Sequence, residues 1–401
     1  MQKSIRIGDS IYFLSSDDDY LDAMGDNFEP YMVELFRALI GPDDIVADIG
    51  ANIGLTAILF SSLAQKVFAF EPSPSTYRIL LDNFARANVT NVKPINLGLG
   101  AKQESLPITF ARNNRSGGTV SNKIKFNKDH VTEEIQLDTL DRYFADYEIK
   151  PNFLKIDVEG FEQYVIEGGR RFLENNKPIV VLEMNHFCLN VLQRITIPDY
   201  LDFMRNIFPF LYAVDTDNAS IADLHDLEEA YFVMYEHVIR NRFPNLVGGF
   251  DTSVGQKLKE LATIAGEFKK RKQFPTPELA KPLGIIRTEW APERIAAGAL
   301  FDISITVCNG GDETWYGYGT HPVYLCYHWK NIGGQYLIYD GIRTELKAQI
   351  EQPGEAVEEV IQVVAPSLKG RFKLILTFVQ EGVCWFEERG FRAAILELEV
   401  L

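Results

Sequence analysis

The run Val46-Ala47-Asp48-Ile49-Gly50-Ala51-Asn52-Ile53-Gly54 holds the first residues whose types and spacing could do chemistry. Gly50 and Gly54 stand where a backbone must turn sharply and let a ligand come close. A dinucleotide site spaces three glycines as G-x-G-x-x-G and offers backbone N–H groups to a pyrophosphate, but Asn52 takes the place of the middle glycine here. Asp48, just before the turn, suits instead an ammonium-bearing ligand such as the methionine part of S-adenosylmethionine. Glu71 ends the next strand, where a carboxylate accepts hydrogen bonds from both hydroxyls of a ribose. Strand, Gly-loop, helix, strand and acid together point to an adenosine cofactor. The Asp-x-Gly-x-x-x-Gly spacing favours the methyl donor, and NAD, which would use the same acid, is the alternative.

A second set lies further along. Asp157 follows one buried strand, and Glu183, Asn185 and His186 follow another, at the edge where open α/β sheets bind their ligands. Methylating a hydroxyl calls for a base that removes its proton or a metal that acidifies it. Asp157, Glu183 and His186 are the catalytic candidates, His186 being the base best suited to neutral pH. The plainer role for His186 is to satisfy local backbone groups. Asp157, Glu183 and Asn185 could equally hold magnesium through oxygen ligands, although no three ligands are fixed, so the metal stays unassigned. Lys155 and Glu159 either pair with neighbours or act directly.

The elements that must position these residues are legible as alternating strands and helices. Ile45 to Ile49, Lys66 to Phe70, Val92 to Asn96, Phe153 to Asp157 and Ile179 to Met184 are short and apolar, as strands buried on both faces should be. Ser75 to Asn88 carries Ile79, Leu80, Phe84 and Ala87 at helical spacing, and Phe161 to Glu174 reads as one further helix. Lys102 to Leu137, rich in Asn, Ser and Gly, breaks the rhythm and reads as an inserted hairpin or lid, with Arg112 to Asn122 placed to order over substrate.

At this point the chain resembles the FkbM family of S-adenosylmethionine-dependent methyltransferases. The resemblance rests on Asp48 to Gly54, on Phe70-Glu71-Pro72 and above all on Lys155-Ile156-Asp157-Val158-Glu159-Gly160. Leu137-Asp138-Thr139-Leu140 and Val181-Leu182-Glu183 add to it, so that it covers about Glu29 to Glu183, less than half of the chain. It implies a class I methyltransferase fold, a Rossmann-like doubly wound α/β sheet, and methylation of hydroxyls on sugars and natural products. It also implies that Asp48, Gly50, Asn52 and Gly54 contact the methionine half of the cofactor, Glu71 the ribose, and the Leu97-Gly98 region the adenine, with Asp157 nearby.

After a basic helical stretch, Lys257 to Lys272, prolines at Pro275, Pro277 and Pro282 forbid regular structure. The strands that follow, Phe301 to Val307, Val323 to Trp329, Val357 to Val364, Phe372 to Gln380 and Arg392 to Glu399, predict an all-β antiparallel sandwich. The expected domains are therefore 1–250 for the methyltransferase, 251–282 for the linker and 283–401 for the β-sandwich. Aromatics are dense in the last of these. Strand-borne Tyr324 and Trp329 are expected in the core, and loop-borne Trp315, Tyr316 and Tyr318 are candidates for a glycan platform or a subunit interface. This segment resembles Ig-like modules attached to glycan-processing enzymes, and holds no nucleophile, metal cluster or phosphate loop.

Two domains also follow from length, because one core stops growing near roughly 250 to 300 residues and the chain has 401. Its net charge of −16 repels phosphate backbones and anionic headgroups, which excludes nucleic acid as an expected partner. No apolar run reaches the roughly 20 residues of a membrane helix, so neither membrane insertion nor a leader is expected and the location is read as cytoplasmic. Four scattered cysteines, Cys188, Cys308, Cys326 and Cys384, form no zinc pair and read as buried thiols. The expected partners are a small-molecule or glycan acceptor and a second copy of the chain through the β-sandwich. Besides an NAD-dependent oxidoreductase, a non-catalytic glycan-binding scaffold is the competing function.

Overall fold

The computed structural model describes residues 2–120, 130–215, 220–288, 290–347, 349–351, 354 and 356–401, with residues 264–272 described by their backbone alone. The chain divides into two compact units, Met1–Ala265 and Gly266–Leu401, and the division falls inside the helix Ser253–Lys272. That helix starts earlier than its basic stretch, because Val254 and Leu258 are buried in the core of the first unit.

The first unit is built on an eight-stranded sheet. Its spatial order is Ser220–Asp223, Phe210–Asp215, Asn245–Gly249, Ile179–Glu183, Phe153–Ile156, Ile45–Ile49, Lys66–Phe70, Val92–Ile95. The last five are parallel, and Asn245–Gly249 runs antiparallel between its two neighbours. Alternation explains why these strands are apolar throughout: Ile45, Ala47 and Ile49 face one core with Phe68 and Phe70, while Val46 faces another with Val67 and Ala69. The chain leaves Ile45–Ile49 toward one edge of the sheet and returns to its other side at Phe153–Ile156. The crevice at the carboxyl ends of those two strands is where such a sheet takes a ligand.

The helix Pro74–Ala87 has local causes at both ends. Ser73 accepts from the Thr76 N–H, Pro74 occupies the first turn, and Asn88 closes the helix in the left-handed region. The single helix expected from Phe161 to Glu174 is instead two, Glu162–Glu167 and Arg170–Asn176. Gly168 and Gly169 lie between them because there is no room for a side chain. A Cβ on Gly168 would sit 2.0 Å from the Gly100 carbonyl oxygen, and one on Gly169 would sit 2.8 Å from Leu140 Cδ2. The insertion is a four-stranded sheet in the order Gly98–Leu99, His130–Asp138, Glu104–Ala111, Asn114–Thr119. Part of the expected lid, Ser121 and Asn122, lies outside the described residues.

The second unit is a β-sandwich. One sheet of three strands, Gly284–Thr288, Leu300–Asn309 and Val357–Val364, faces a larger one that includes Val323–Asn331, Gly370–Gln380 and Ala394–Val400. Trp329 is buried as expected and donates to the Val364 carbonyl over 2.9 Å, while Tyr324 is only half-buried. Trp315 departs from expectation, being fully buried against Phe378, Phe386 and Phe391. It is core and not a glycan platform. Tyr316 and Tyr318 are half-buried beside Phe274, and Arg343 pairs with Asp340. All four cysteines are free thiols, Cys188 and Cys326 buried and the other two half-buried. Among the described residues no helix is long and apolar enough to cross a membrane.

Candidate functional site

Strand register sets the charge at the centre of the site. Asp48 and Lys155 are directly paired across Ile45–Ile49 and Phe153–Ile156, and both project to the Val46 and Phe153 face of the sheet. The Lys155 ammonium lies 3.7 Å from Asp48 and 3.0 Å from Asp157. Burial works against its charge, but the two carboxylates outweigh burial and hold the lysine above its usual range. Burial pushes Asp48 up to about 6, opposed by Lys155. Asp48 is fully buried and neither of its carboxylate oxygens has a hydrogen-bond partner among the described residues.

The Gly-loop follows. Gly50 has φ +88° and lies so close to Asp157 that a Cβ would stand 1.9 Å from its carbonyl oxygen. Asn52 is also left-handed, at φ 50°, and its side-chain oxygen is buried without a partner among the described residues. Glu71 accepts from the Asn52 N–H at 3.0 Å and from the Ser73 N–H at 2.8 Å. Its carboxyl thereby ties the Gly-loop to the start of the Pro74–Ala87 helix. Burial raises it to about 8 in spite of those two donors.

Gly50, Asn52, Glu71, Leu97, Gly98 and Asp157 all line one cleft. The insertion walls it with Ile108, Phe110, Ile135 and Leu137, an apolar surface beside Leu97 and Gly98. Asp48 and Gly54 do not line it. Asp48 sits beneath the loop against Lys155, and Gly54, at φ +97°, begins the helix Leu55–Leu63 where Phe84 leaves no room for a Cβ. The described part of the insertion is docked rather than free. Arg115 pairs with Asp17 and donates to Ser75 at 2.6 Å, and Glu133 accepts from Ser73 at 2.6 Å.

The other acids gather beside Asp157. Asp157, Glu159 and Glu183 each bring one carboxylate oxygen into a group spanning no more than 4.8 Å, the donor set that a magnesium or manganese ion takes. Glu159 thus stands where Asn185 was expected, since Asn185 accepts from the Cys188 N–H and caps the following turn. Burial first, and the Asp157 charge second, bring Glu159 up to about 7 and raise Glu183 well above the usual carboxylate range. Glu162 accepts from the Val158 and Gly160 N–H groups and shapes the loop that carries Glu159. His186 does not join these acids. Its ring meets His237 edge-on at 5.2 Å, and its N–H donates to His237 Nε2 at 3.2 Å. That donor is the His186 backbone N–H, and the His186 ring Nδ1 is buried without a partner among the described residues, so the ring does not satisfy local backbone groups, the plainer of its two expected roles.

Two groups that act on this site carried no signal in the motifs. The charges of Asp157 and Lys155 reach Tyr20 and Glu29, both from the segment before the sheet. The acidic run Asp17-Asp18-Asp19 and the pair Glu29-Pro30 are the traces they leave in the sequence.

Residues 48–212 match the family model of the methyltransferase FkbM domain. The hexuronic acid methyltransferase AglP of Haloferax volcanii is 33% identical over 145 residues, 35% of this chain and 55% of that protein. Methyltransferase 1 of Beauveria bassiana is 30% identical over 149 residues, 32% of this chain and 59% of that protein. The chain thus spans a little over half the length of these relatives. Among solved structures, methyltransferase FkbM from Methylobacillus flagellatus aligns at 17% identity and a TM-score of 0.30, over 45% of this chain and 46% of that one. The first unit is an α/β fold on a mostly parallel sheet, and the second an antiparallel β module.

Proposed function

We propose that this chain transfers a methyl group from S-adenosylmethionine to a hydroxyl of a sugar or a related natural product. The observation that carries the reading is the cleft at the sheet's switch point, which gathers Gly50, Asn52, Glu71, Leu97, Gly98 and Asp157 on one wall. A fit to the cofactor is supported by the polar atom left over there, the buried Asn52 side-chain oxygen, which has no partner among the described residues. Glu71 would hold the ribose hydroxyls and the apolar wall the adenine. When bound, the cofactor supplies an electrophilic methyl group on a sulfonium.

What the protein adds is placement and proton management. Holding the acceptor oxygen about 3 to 3.5 Å from the methyl, in line with sulfur, already lowers the barrier substantially. Asp157 stands at the mouth of the cleft, fixed by its N–H to the Ile49 carbonyl at 3.0 Å and by Lys155. Asp157, Glu159 and Glu183 would hold a divalent cation that acidifies the acceptor. The sugar class draws support from the hexuronic acid relative, and the β-sandwich is read as a non-catalytic accessory unit.

The test is calorimetric titration with S-adenosylhomocysteine and with NAD, repeated on Glu71→Ala. Micromolar binding of S-adenosylhomocysteine, roughly −8 kcal/mol, weakened at least tenfold in the variant and absent for NAD, supports the reading. Binding of NAD instead would make the chain an oxidoreductase, and binding of neither would leave a scaffold.

A further inference from the structure

An open groove of about 590 Å³ shares Ser116 with the cofactor cleft. Its polar lining comes from Asp19, Tyr20, Asn27, Glu29, Asn113, Asn114 and Ser116, and the described lining holds neither Lys nor Arg. Two segments far apart in sequence build it. The helix Tyr20–Met24 and the entry to the helix Pro30–Leu39 form one wall, and the start of the Asn114–Thr119 strand forms the other. The walls are fastened to each other: the Asp19 N–H donates to the Asn113 carbonyl at 3.3 Å, the Arg115 N–H donates to Asp18 at 2.7 Å, and Arg115 pairs with Asp17. Glu29 holds a left-handed backbone, φ 27°, which a glutamate adopts only where its surroundings impose it. The groove meets the cleft at Ser116, which lines both, and the charges of Lys155 and Asp157 reach the Glu29 carboxyl and the Tyr20 hydroxyl.

We propose that this groove is the acceptor subsite, that it takes a neutral sugar ring, and that Glu29 receives the proton of the reacting hydroxyl. The proposal rests on the methyltransferase reading. Carboxamide and hydroxyl groups match sugar hydroxyls as donors and acceptors, whereas a uronate carboxylate would enter a lining that offers it Asp19 and Glu29 and no cation. In the step itself, the acceptor oxygen gives its proton to the Glu29 carboxylate and a lone pair to the methyl carbon. The carbon–sulfur bond pair stays on sulfur. The products are the methyl ether, a neutral thioether and a protonated Glu29.

The experiment measures methyl transfer by the full-length protein to a panel of neutral methyl hexosides and a matched panel of methyl hexuronosides. Wild type, Glu29→Gln and Asn113→Ala are compared, with S-adenosylhomocysteine affinity measured on each. The expected result is transfer to neutral sugars, a drop in kcat of about 100-fold in Glu29→Gln and a raised KM in Asn113→Ala, all with cofactor affinity unchanged. Glu29→Gln as active as wild type, transfer to uronosides alone, or no transfer to either panel by a protein that binds S-adenosylhomocysteine would overturn the proposal. Failure of wild type to bind S-adenosylhomocysteine would instead strike the methyltransferase reading beneath it.

A different observation carries an interaction surface. The helix Leu227–Arg240 buries Ala230, Val233, Glu236 and His237, yet it turns Leu227, Tyr231, Tyr235, Val238 and Ile239 to solvent, from 47% to 74% exposed. Patches of this kind mark interfaces. We infer that the occupant is a second copy of this chain, packed antiparallel about a two-fold axis between Tyr231 and Tyr235. That arrangement lays Leu227 on Ile239 of the partner subunit. It also brings the acidic first turn, Glu228 and Glu229, toward Arg240 of the partner subunit, whereas a parallel copy would set like charges together. Sedimentation of the full chain up to about 50 µM should show a dimer, converted to monomer by Tyr235→Glu with Ile239→Glu, with the far-ultraviolet circular dichroism of a folded protein retained. A monomeric wild type, or a dimer that survives both substitutions, would overturn it.

Discussion

Glu71 and Asp48 show how burial sets the ionisation of single residues. Both are buried, and burial lifts them to about 8 and about 6. An acid raised in the folded state binds protons that the unfolded chain has released, so its contribution is full below the unfolded value near 4 and is lost as pH rises through the folded one. The ligand-free protein should therefore lose stability from about pH 4 up to about pH 8 on account of these two groups. Ribose hydroxyls on Glu71 favour its ionised carboxylate, so cofactor binding should expel protons. Calorimetry with S-adenosylhomocysteine, run between those two pKa values in buffers of different ionisation enthalpy, should report net release, diminished in Glu71→Gln. Proton uptake, or none exchanged, would remove Glu71 from the ribose. Asp48 was legible because a strand end followed by a glycine turn leaves a mark in the sequence, and Glu71 because it ends the next apolar strand. His186 was not, because its partner His237 is brought to it only by the fold. Glu29 and Tyr20 were hidden for a related reason: their place depends on the insertion docking against the segment before the sheet.

At the scale of elements, the central strands were readable because burial on both faces demands unbroken apolar runs, and the five parallel strands fall within a residue of their expected bounds. The misread helix at Phe161 to Glu174 has a cause that periodicity cannot register. Apolar spacing continues across Gly168, but the Gly100 carbonyl occupies the space a side chain would need. Gly168→Ala should force apart the turn carrying Gly98 and Leu99 and destabilise the fold by about 1 to 3 kcal/mol, with weaker S-adenosylhomocysteine binding from the displaced wall. Gly117→Ala, where an added Cβ meets nothing within 4 Å, is the matched control and should melt with wild type. Thermal denaturation of the pair decides the point, and equal melting of both variants would show that the close approach is not a constraint. The insertion itself was readable as a break in rhythm. Its docking by Arg115 to Asp17 and by Glu133 to Ser73 depends on residues that look like ordinary surface charge in the sequence.

For the whole molecule, composition and the switch from helical period to short alternating strands announced an α/β unit followed by a β-sandwich. The fate of the aromatics was less legible, since Trp315 comes from a loop yet fills the sandwich core between Phe378 and Phe386. Sandwich cores close over their ends, so a loop position does not mean exposure. Each unit has its own core: two clusters on the faces of the large sheet in one, and a single cluster between the two sheets in the other. The segment from Gln273 to Leu283 has no regular secondary structure and holds three prolines, yet it is pinned to the second unit: Leu279 is fully buried in the sandwich core and its N–H donates to Gln380 at 2.8 Å, while Gln380 donates to the Pro277 carbonyl at 2.9 Å. Chain fastened in this way is a poor protease substrate in spite of its irregular backbone. Limited proteolysis should therefore spare it. Every residue lining the cofactor cleft lies before Gly266, so a chain ending at Lys272 should bind S-adenosylhomocysteine within about twofold of the full-length affinity. Loss of binding on truncation would mean that the sandwich holds the methyltransferase unit in its competent form, and would move it from accessory to necessary partner.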